Sequence, residues 1–308
     1  MANTILNATT VVETDLAILR RNLVLGALVS RDASAQFAGK RGDTVTIRVT
    51  GKARARRRNL RNGPPIITDE IHEFGVAVRL TDHIYSSIAI TDDQLTLDIR
   101  DFAKQISRPQ VEAVSENLED LLVERAISTA DYLETIEVDP NAPEKAFTKA
   151  NKFLNDQKVS KVGRVLAVGS ELERIFLDAK LFQEADKAGT TVTQTDAILG
   201  RKFGFTVVPS NGLDENFGAG FTKDAFYLVT RAPEVPDGAS WGESLAGDNG
   251  LALRHLKDYD YVNTRDRSLV DVFAGAGIIE DPVDSTDPDS ETQFVRGVRL
   301  VGPDYDGS

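Results

Sequence analysis

An α+β fold is predicted by three features of the sequence: two short segments that alternate apolar with polar residues, one long stretch whose apolar residues recur three and four apart, and a second half in which helix and strand patterns follow a Pro-rich break. Val45, Ile47 and Val49 alternate with Thr and Arg in Thr44 to Thr50, and Phe74, Val76, Val78 and Leu80 alternate likewise, the signature of two half-buried strands. Ahead of them, Leu16 to Val29 has the spacing of an amphipathic helix, and Ser30 to Gly42 is polar and small, an arm leading into a body.

The long stretch is Asp98 to Ser128. Its apolar stripe runs through Ile99, Phe102, Ile106, Val111, Val114, Leu118, Leu121, Leu122 and Ala126, so one face needs a partner. Pro109 would break a helix interior, but Ser107 with Gln110 three residues on reads as a capping box that restarts the helix, with the proline in its first turn. Opposite the stripe, Glu112, Glu116, Asp120 and Glu124 stand four apart, with Glu119 beside them. Like charges at that spacing cost an isolated helix about 0.2 to 0.5 kcal/mol per pair, so the ladder is tolerated where solvent or a basic partner screens it.

A candidate partner lies between the two strands. Gly51 to Ile71 is far longer than the usual hairpin loop, which marks it as functional or mobile. Lys52, Arg54, Arg56, Arg57, Arg58 and Arg61 crowd into ten residues, and no acid occurs between Asp43 and Asp69. Three readings are open: contact with nucleic acid, contact with an acidic protein surface, or a solvated loop. Aromatic rings for stacking bases are absent from Lys40 to Glu73, which weakens the first reading, and the acidic ladder favours the second. Because a tip on a long arm does not fold back onto its own helix, the expected contact is with another copy of the chain.

Beyond the arm, Ile84 to Ile90 is a third short strand, and Thr91-Asp92-Asp93-Gln94 is a capping box opening into the long helix. Pro140 to Pro143 then punctuates the chain. Ala146 to Leu154 reads as helix, Val165 to Val168 as strand, and Ser170 to Leu177 as a helix capped by Ser170. Strands are expected at Phe205 to Val208, Ala225 to Thr230, Leu251 to Leu256, Leu269 to Phe273 and Phe294 to Val301, with Asp281 to Glu291 as an acidic loop.

Chemistry is scarce in this pattern. His72, His83 and His255 show no metal-ligand spacing, and Val168-Gly169-Ser170-Glu171 lacks the second glycine of a nucleophile elbow. Gly51-Lys52 is not a phosphate loop, and Phe273-Ala274-Gly275-Ala276-Gly277 has no helix opening after it. No catalytic, cofactor-binding or metal site is therefore assigned. A net charge of -12 over 308 residues argues against a general nucleic-acid binder and against docking on an anionic membrane. With no cysteine there is no disulfide framework or thiolate site, and no run of about 18 apolar residues is long enough to span a bilayer. The charges in Met1 to Val29 exclude a signal peptide.

Met1-Ala2-Asn3-Thr4, then Asn22 to Asp32 (NLVLGALVSRD), then Gly42-Asp43-Thr44-Val45-Thr46-Ile47-Arg48 resembles the opening of tailed-bacteriophage major capsid proteins of the coat-protein branch, which have the Hong Kong 97-type capsid fold. The order of parts over essentially the whole chain is similar too. The resemblance implies an N-terminal arm at 1–38, an extended loop at 39–90, a peripheral domain with the spine helix at 91–140, an axial domain at 141–276, and at 277–308 a strand returning to the peripheral domain and the C-terminus. It implies a homo-oligomer of hexamers and pentamers that encloses double-stranded DNA without reading its sequence, with portal and scaffolding proteins as partners, located in the virion and made in the host bacterial cytoplasm. No inserted domain and no Lys–Asn crosslink motif can be placed. The alternative is a DNA-binding or regulatory protein using the Arg-rich loop 52–61.

Overall fold

The computed structural model describes residues 8–34, 44–50, 55–68, 72–91, 102–179, 200–247, 250–284, 287 and 289–303. The two alternating segments pair with each other: β1 (Thr44–Thr50) runs antiparallel to β2 (Glu73–Arg79), in register from Thr44 opposite Arg79 to Thr50 opposite Glu73. Their period-two apolar face buries Val45, Val49 and Val78 against Tyr227, Val229 and Ile279, so the base of the arm rests on the body. The third strand, β3 (Asp82–Thr91), turns away from this hairpin and joins a second sheet.

That second sheet has five strands: β3, β9 (Phe226–Arg231), β10 (Trp241–Ala246), β11 (Ala252–Asp260) and β12 (Arg265–Ile278). β12 holds it together, pairing antiparallel with β3 over 265–274, with β11 over 265–271 and with β9 over 273–278. Across the sheet lies helix α2 (Arg108–Leu122), and beside it helix α1 (Ala8–Asn22). Val111, Val114, Leu118, Leu121, Leu122 and Ala126 are buried with Leu19 of α1, Leu23 just after it, and Ile84, Val270 and Val272 of the sheet, as the apolar stripe requires.

The entry to α2 differs from the expected capping box. Residues Ala103–Ser107 form a π turn that runs straight into α2, Ser107 keeps helical angles, and its side chain caps nothing. Pro109 lacks an N–H and its ring crowds the carbonyl one turn back; a widened turn relieves that crowding without ending the helix. Gln110 is buried and does other work, donating from Nε2 to the carbonyls of Ser86 and Ser268, each at 3.0 Å. A second π turn, Val123–Ile127, extends the rod at its far end. Residues 92–101, which hold Asp92, Asp93 and Gln94 of the expected box and Ile99, lie outside the described residues.

The third sheet is mixed, in the order β4 (Thr135–Glu137), β15 (Gly297–Val301), β8 (Phe217–Thr222), β5 (Arg164–Val168), β7 (Phe205–Pro209) and β6 (Arg201–Lys202). Helices α3 (Glu144–Asp156) and α4 (Ser170–Asp178) cover one face, with Phe147, Leu154, Leu172 and Phe176 packed on Leu166, Val168, Phe205 and Leu300. The other face carries Val165, Ala167, Phe217 and Phe221 into the core beneath α2, so β5 and β8 are buried on both sides. Gly169, in extended conformation, takes the N-cap position of α4 in place of the expected Ser170.

Strand pairing places the closing strand in a different sheet from residues 226–278. The closing strand β15 pairs with β8 and β4, in the sheet of residues 135–222, while β9 to β12 pair among themselves and with β3 beneath α2. The physical reason is burial. Val298 and Leu300 of β15 complete the core under α3 and α4, whereas Val270 and Val272 of β12 fill the core under α2.

Candidate inter-subunit surface

Of the six cations expected at the arm's tip, Arg56, Arg57, Arg58 and Arg61 are exposed, while Lys52 and Arg54 lie outside the described residues. A compact turn presents them. Asn59 Oδ1 accepts from the backbone N–H groups of Arg61 at 3.0 Å and Asn62 at 3.4 Å, and Arg58 Nη1 donates to the Pro64 carbonyl at 3.3 Å. A Cβ at Gly63 would stand 2.5 Å from the Asn59 carbonyl oxygen, so only glycine lets the chain close here. Leu60, Ile66 and Ile67 are exposed at 93%, 79% and 65%, apolar side chains on the same tip that no described residue covers.

The acids separate into two groups. Glu116, Asp120 and Glu124 are exposed and form no ion pair among the described residues, while Glu112 is half-buried and bonded to Arg108 at 2.7 Å. Glu119 leaves the ladder entirely. Its carboxylate accepts from the N–H groups of Leu25 at 2.9 Å and Gly26 at 3.0 Å, capping the 3-10 turn Leu25–Ala27 that follows α1. Burial pushes its pKa above the ordinary glutamate value, against the pull of those hydrogen bonds. The structure thus brings Glu116, Asp120 and Glu124 onto one exposed face of the helix and sets the tip arginines Arg56, Arg57, Arg58 and Arg61 on the arm.

Histidines have partners that spacing alone does not reveal. His83 Nε2 is 2.9 Å from Asp271 Oδ2, and Arg254 donates to both oxygens of that buried carboxylate. The pair opens on a cleft of about 620 Å³ lined by Leu80, Asp82, Arg231, Pro233, Glu234 and Phe273. His255 Nδ1 is 2.8 Å from Asp15 and its Nε2 is 2.9 Å from Ser268 Oγ, the order of a hydrolytic triad. Ser268 is only 1% exposed and its hydroxyl already donates to Gln110, so no substrate carbonyl can reach it. Among the described residues no group of three His, Asp or Glu side chains is placed to hold a metal ion, and no helix is long and apolar enough to cross a membrane.

No protein-family model matches the chain, and no curated protein matches it in sequence. Solved structures do. The chain is similar to one from Mycobacterium phage Che8, at TM-score 0.60 and 18% identity over 90% of each chain. It is also similar to the capsid structure of the cyanophage P-SCSP1u, at TM-score 0.60 and 11% identity over 86% of this chain and 85% of that one. The head structure of Helicobacter pylori bacteriophage KHP40 is similar at TM-score 0.58 and 12% identity, over 84% and 85%. The fold is that of phage capsid proteins, the Hong Kong 97-type capsid fold.

Proposed function

We propose that the chain is the major capsid protein of a tailed phage, assembling from hexamers and pentamers into an icosahedral shell around double-stranded DNA. The observation that supports this most is likeness in fold along nearly the full length to proteins of phage capsids and heads. In this reading residues 1–38 are the arm and the hairpin is the extended loop. The sheet under α2 is peripheral and the sheet under α3 and α4 is axial. Each subunit clasps its neighbours through the tip arginines and apolar residues, seated on the Glu116, Asp120 and Glu124 face of another copy. Individually modest contacts suffice, because multivalency stabilises a closed shell far beyond any one of them. Its acidic charge suits DNA that is enclosed rather than gripped, portal and scaffolding proteins are the partners, and the reading assigns no catalytic role to the chain.

The test is sedimentation and negative-stain imaging of the purified chain with and without a scaffold or host lysate. Megadalton closed particles are expected, and a strict monomer in every condition, infected cells included, sinks the proposal. Exposure of four arginines on one tip favours one other reading, DNA binding through residues 52–61. Salt-dependent retention of DNA by the isolated subunit would support that reading.

A further inference from the structure

We infer that Asp15, His255, Ser268 and Gln110 form a proton-holding latch, which seats helix α1 on the five-stranded sheet and weakens as pH rises above neutrality. All four side chains are 2% exposed or less, and they join α1, β11, β12 and α2 in one chain of hydrogen bonds. The count of protons follows from one end. Gln110 Nε2 donates to two backbone carbonyls, those of Ser86 and Ser268, which fixes the amide, because the reversed amide would set Oε1 against two carbonyl oxygens. Oε1 therefore accepts, and the donor facing it is the Ser268 hydroxyl at 2.8 Å.

That hydroxyl has one proton, now committed, so His255 Nε2, 2.9 Å away, must itself carry a hydrogen and donate. At the other nitrogen, Nδ1 lies 2.8 Å from Asp15 Oδ2, and a proton must lie between them as well. The pair thus holds two protons and is neutral as a whole, whether the second rests on nitrogen or oxygen. A free aspartate and histidine, with ordinary pKa values of about 3.9 and 6.5, hold only one between them above about pH 7. The seated state then binds one proton more than the released state. Seating loses up to about tenfold in its equilibrium per pH unit above about 6.5, and is level between about 4 and 6.5.

Charged groups also stand near the latch. The Lys257 ammonium sits 3.3 Å from the Phe102 ring centroid and feels Asp15 and Asp266, and burial lowers its pKa. Glu243 stands opposite His255 in the β10–β11 pairing, and Glu13 is exposed on α1. On α2, Glu112 is taken by Arg108. Arg254 and Asp271, the neighbours on β11 and β12, satisfy each other.

Ring nitrogen NMR of the full-length chain labelled at its three histidines, with His72 and His83 variants for assignment, reads the proton directly. At pH 7.5 the His255 Nε2 is expected to be protonated, and an unprotonated Nε2 overturns the inference. Hydrogen exchange of the α1 amides, corrected for the intrinsic rate, should lose protection from pH 6.5 to 8.5. In Asp15→Asn the new amide donates to Nδ1 of a singly protonated ring, so protection should become level with pH; the wild-type slope in that variant would overturn the latch. Should Asp15→Asn misfold, Ser268→Ala removes the demand for a donor at Nε2, and His255 should then lose that proton at pH 7.5. Retention of the proton there also counts against the inference.

Discussion

Arg164 shows how much one residue can hold at a place where the sequence offers no warning. It is 2% exposed, yet no carboxylate of the described residues pairs with it; its guanidinium instead donates to Asn151 Oδ1, Asn155 Oδ1 and the carbonyls of Val159 and Ser160, at 2.6 to 3.0 Å. A planar fork of donors tacks the end of α3 to the start of β5. Arg164→Met orphans four acceptors at once and should lower stability by about 3 kcal/mol, read as a lower urea midpoint. Arg164→Lys, with three donors on a point charge, should recover only part of that loss. The same blindness hid the partners of His255 and His83. Asp15 lies 240 residues from His255, and such pairs become visible only when the sheets are assembled. By contrast the arginine cluster was legible because composition alone marks it, and its exposure followed from having no acid nearby in sequence.

At the scale of elements, periodicity carried the two arm strands and the helix over Arg108–Leu122, and failed where burial is two-sided. Phe217–Thr222 is the centre of the mixed sheet, but Phe-Gly-Ala-Gly-Phe-Thr has no alternation to read, since both faces are buried. Its glycines are packing choices: a Cβ at Gly218 or Gly220 would come within 3.0 Å of Leu172 or Val298. Gly275 is a sharper case, because its Cβ would lie 1.9 Å from the Arg79 carbonyl where β2 leaves for β3. Gly275→Ala should therefore displace the base of the hairpin and lower the thermal midpoint by the equivalent of about 1 to 3 kcal/mol. Glu119 was legible as an acid on α2 but not as a cap, because its donors belong to residues more than 90 positions away. Glu119→Ala strands two buried N–H groups and should cost about 2 kcal/mol. Its raised pKa fixes the sign of the pH dependence: the folded form binds more protons between the ordinary value of 4.5 and the raised one. Stability contributed at this site therefore falls as pH rises through that window, and the slope should vanish in Glu119→Ala.

Among the described residues two large bodies of core form, and the hairpin rests on them. The cores under α2 and under α3 and α4 share β5 and β8, so the body is fastened from both sides of one sheet. Among the described residues the hairpin packs on that body at its base, through Val45, Val49 and Val78, and its tip sets Leu60, Ile66, Ile67 and four arginines in solvent. Apolar side chains so exposed gain nothing in an isolated subunit, whereas burial against another copy would return about 25 cal/mol per Å² covered. Exposed ion pairs add at most about 1 kcal/mol each, so charge sets where the tip lands and repetition around a shell supplies the strength. Reversing Arg56, Arg57 and Arg58 to Glu should block assembly with the subunit still folded. Adding Glu116→Lys, Asp120→Lys and Glu124→Lys should restore part of it, and no restoration would exclude this pairing. Protease access gives a second reading of the same contact. Trypsin should make its first cuts after Arg56, Arg57, Arg58 and Arg61 in free subunits, because those bonds are exposed and lie outside any helix or strand. In closed particles the same bonds should be protected, as mass spectrometry of the first fragments would show; equal cleavage in both would mean that the tip is a solvated appendage and that the shell is held by the body alone.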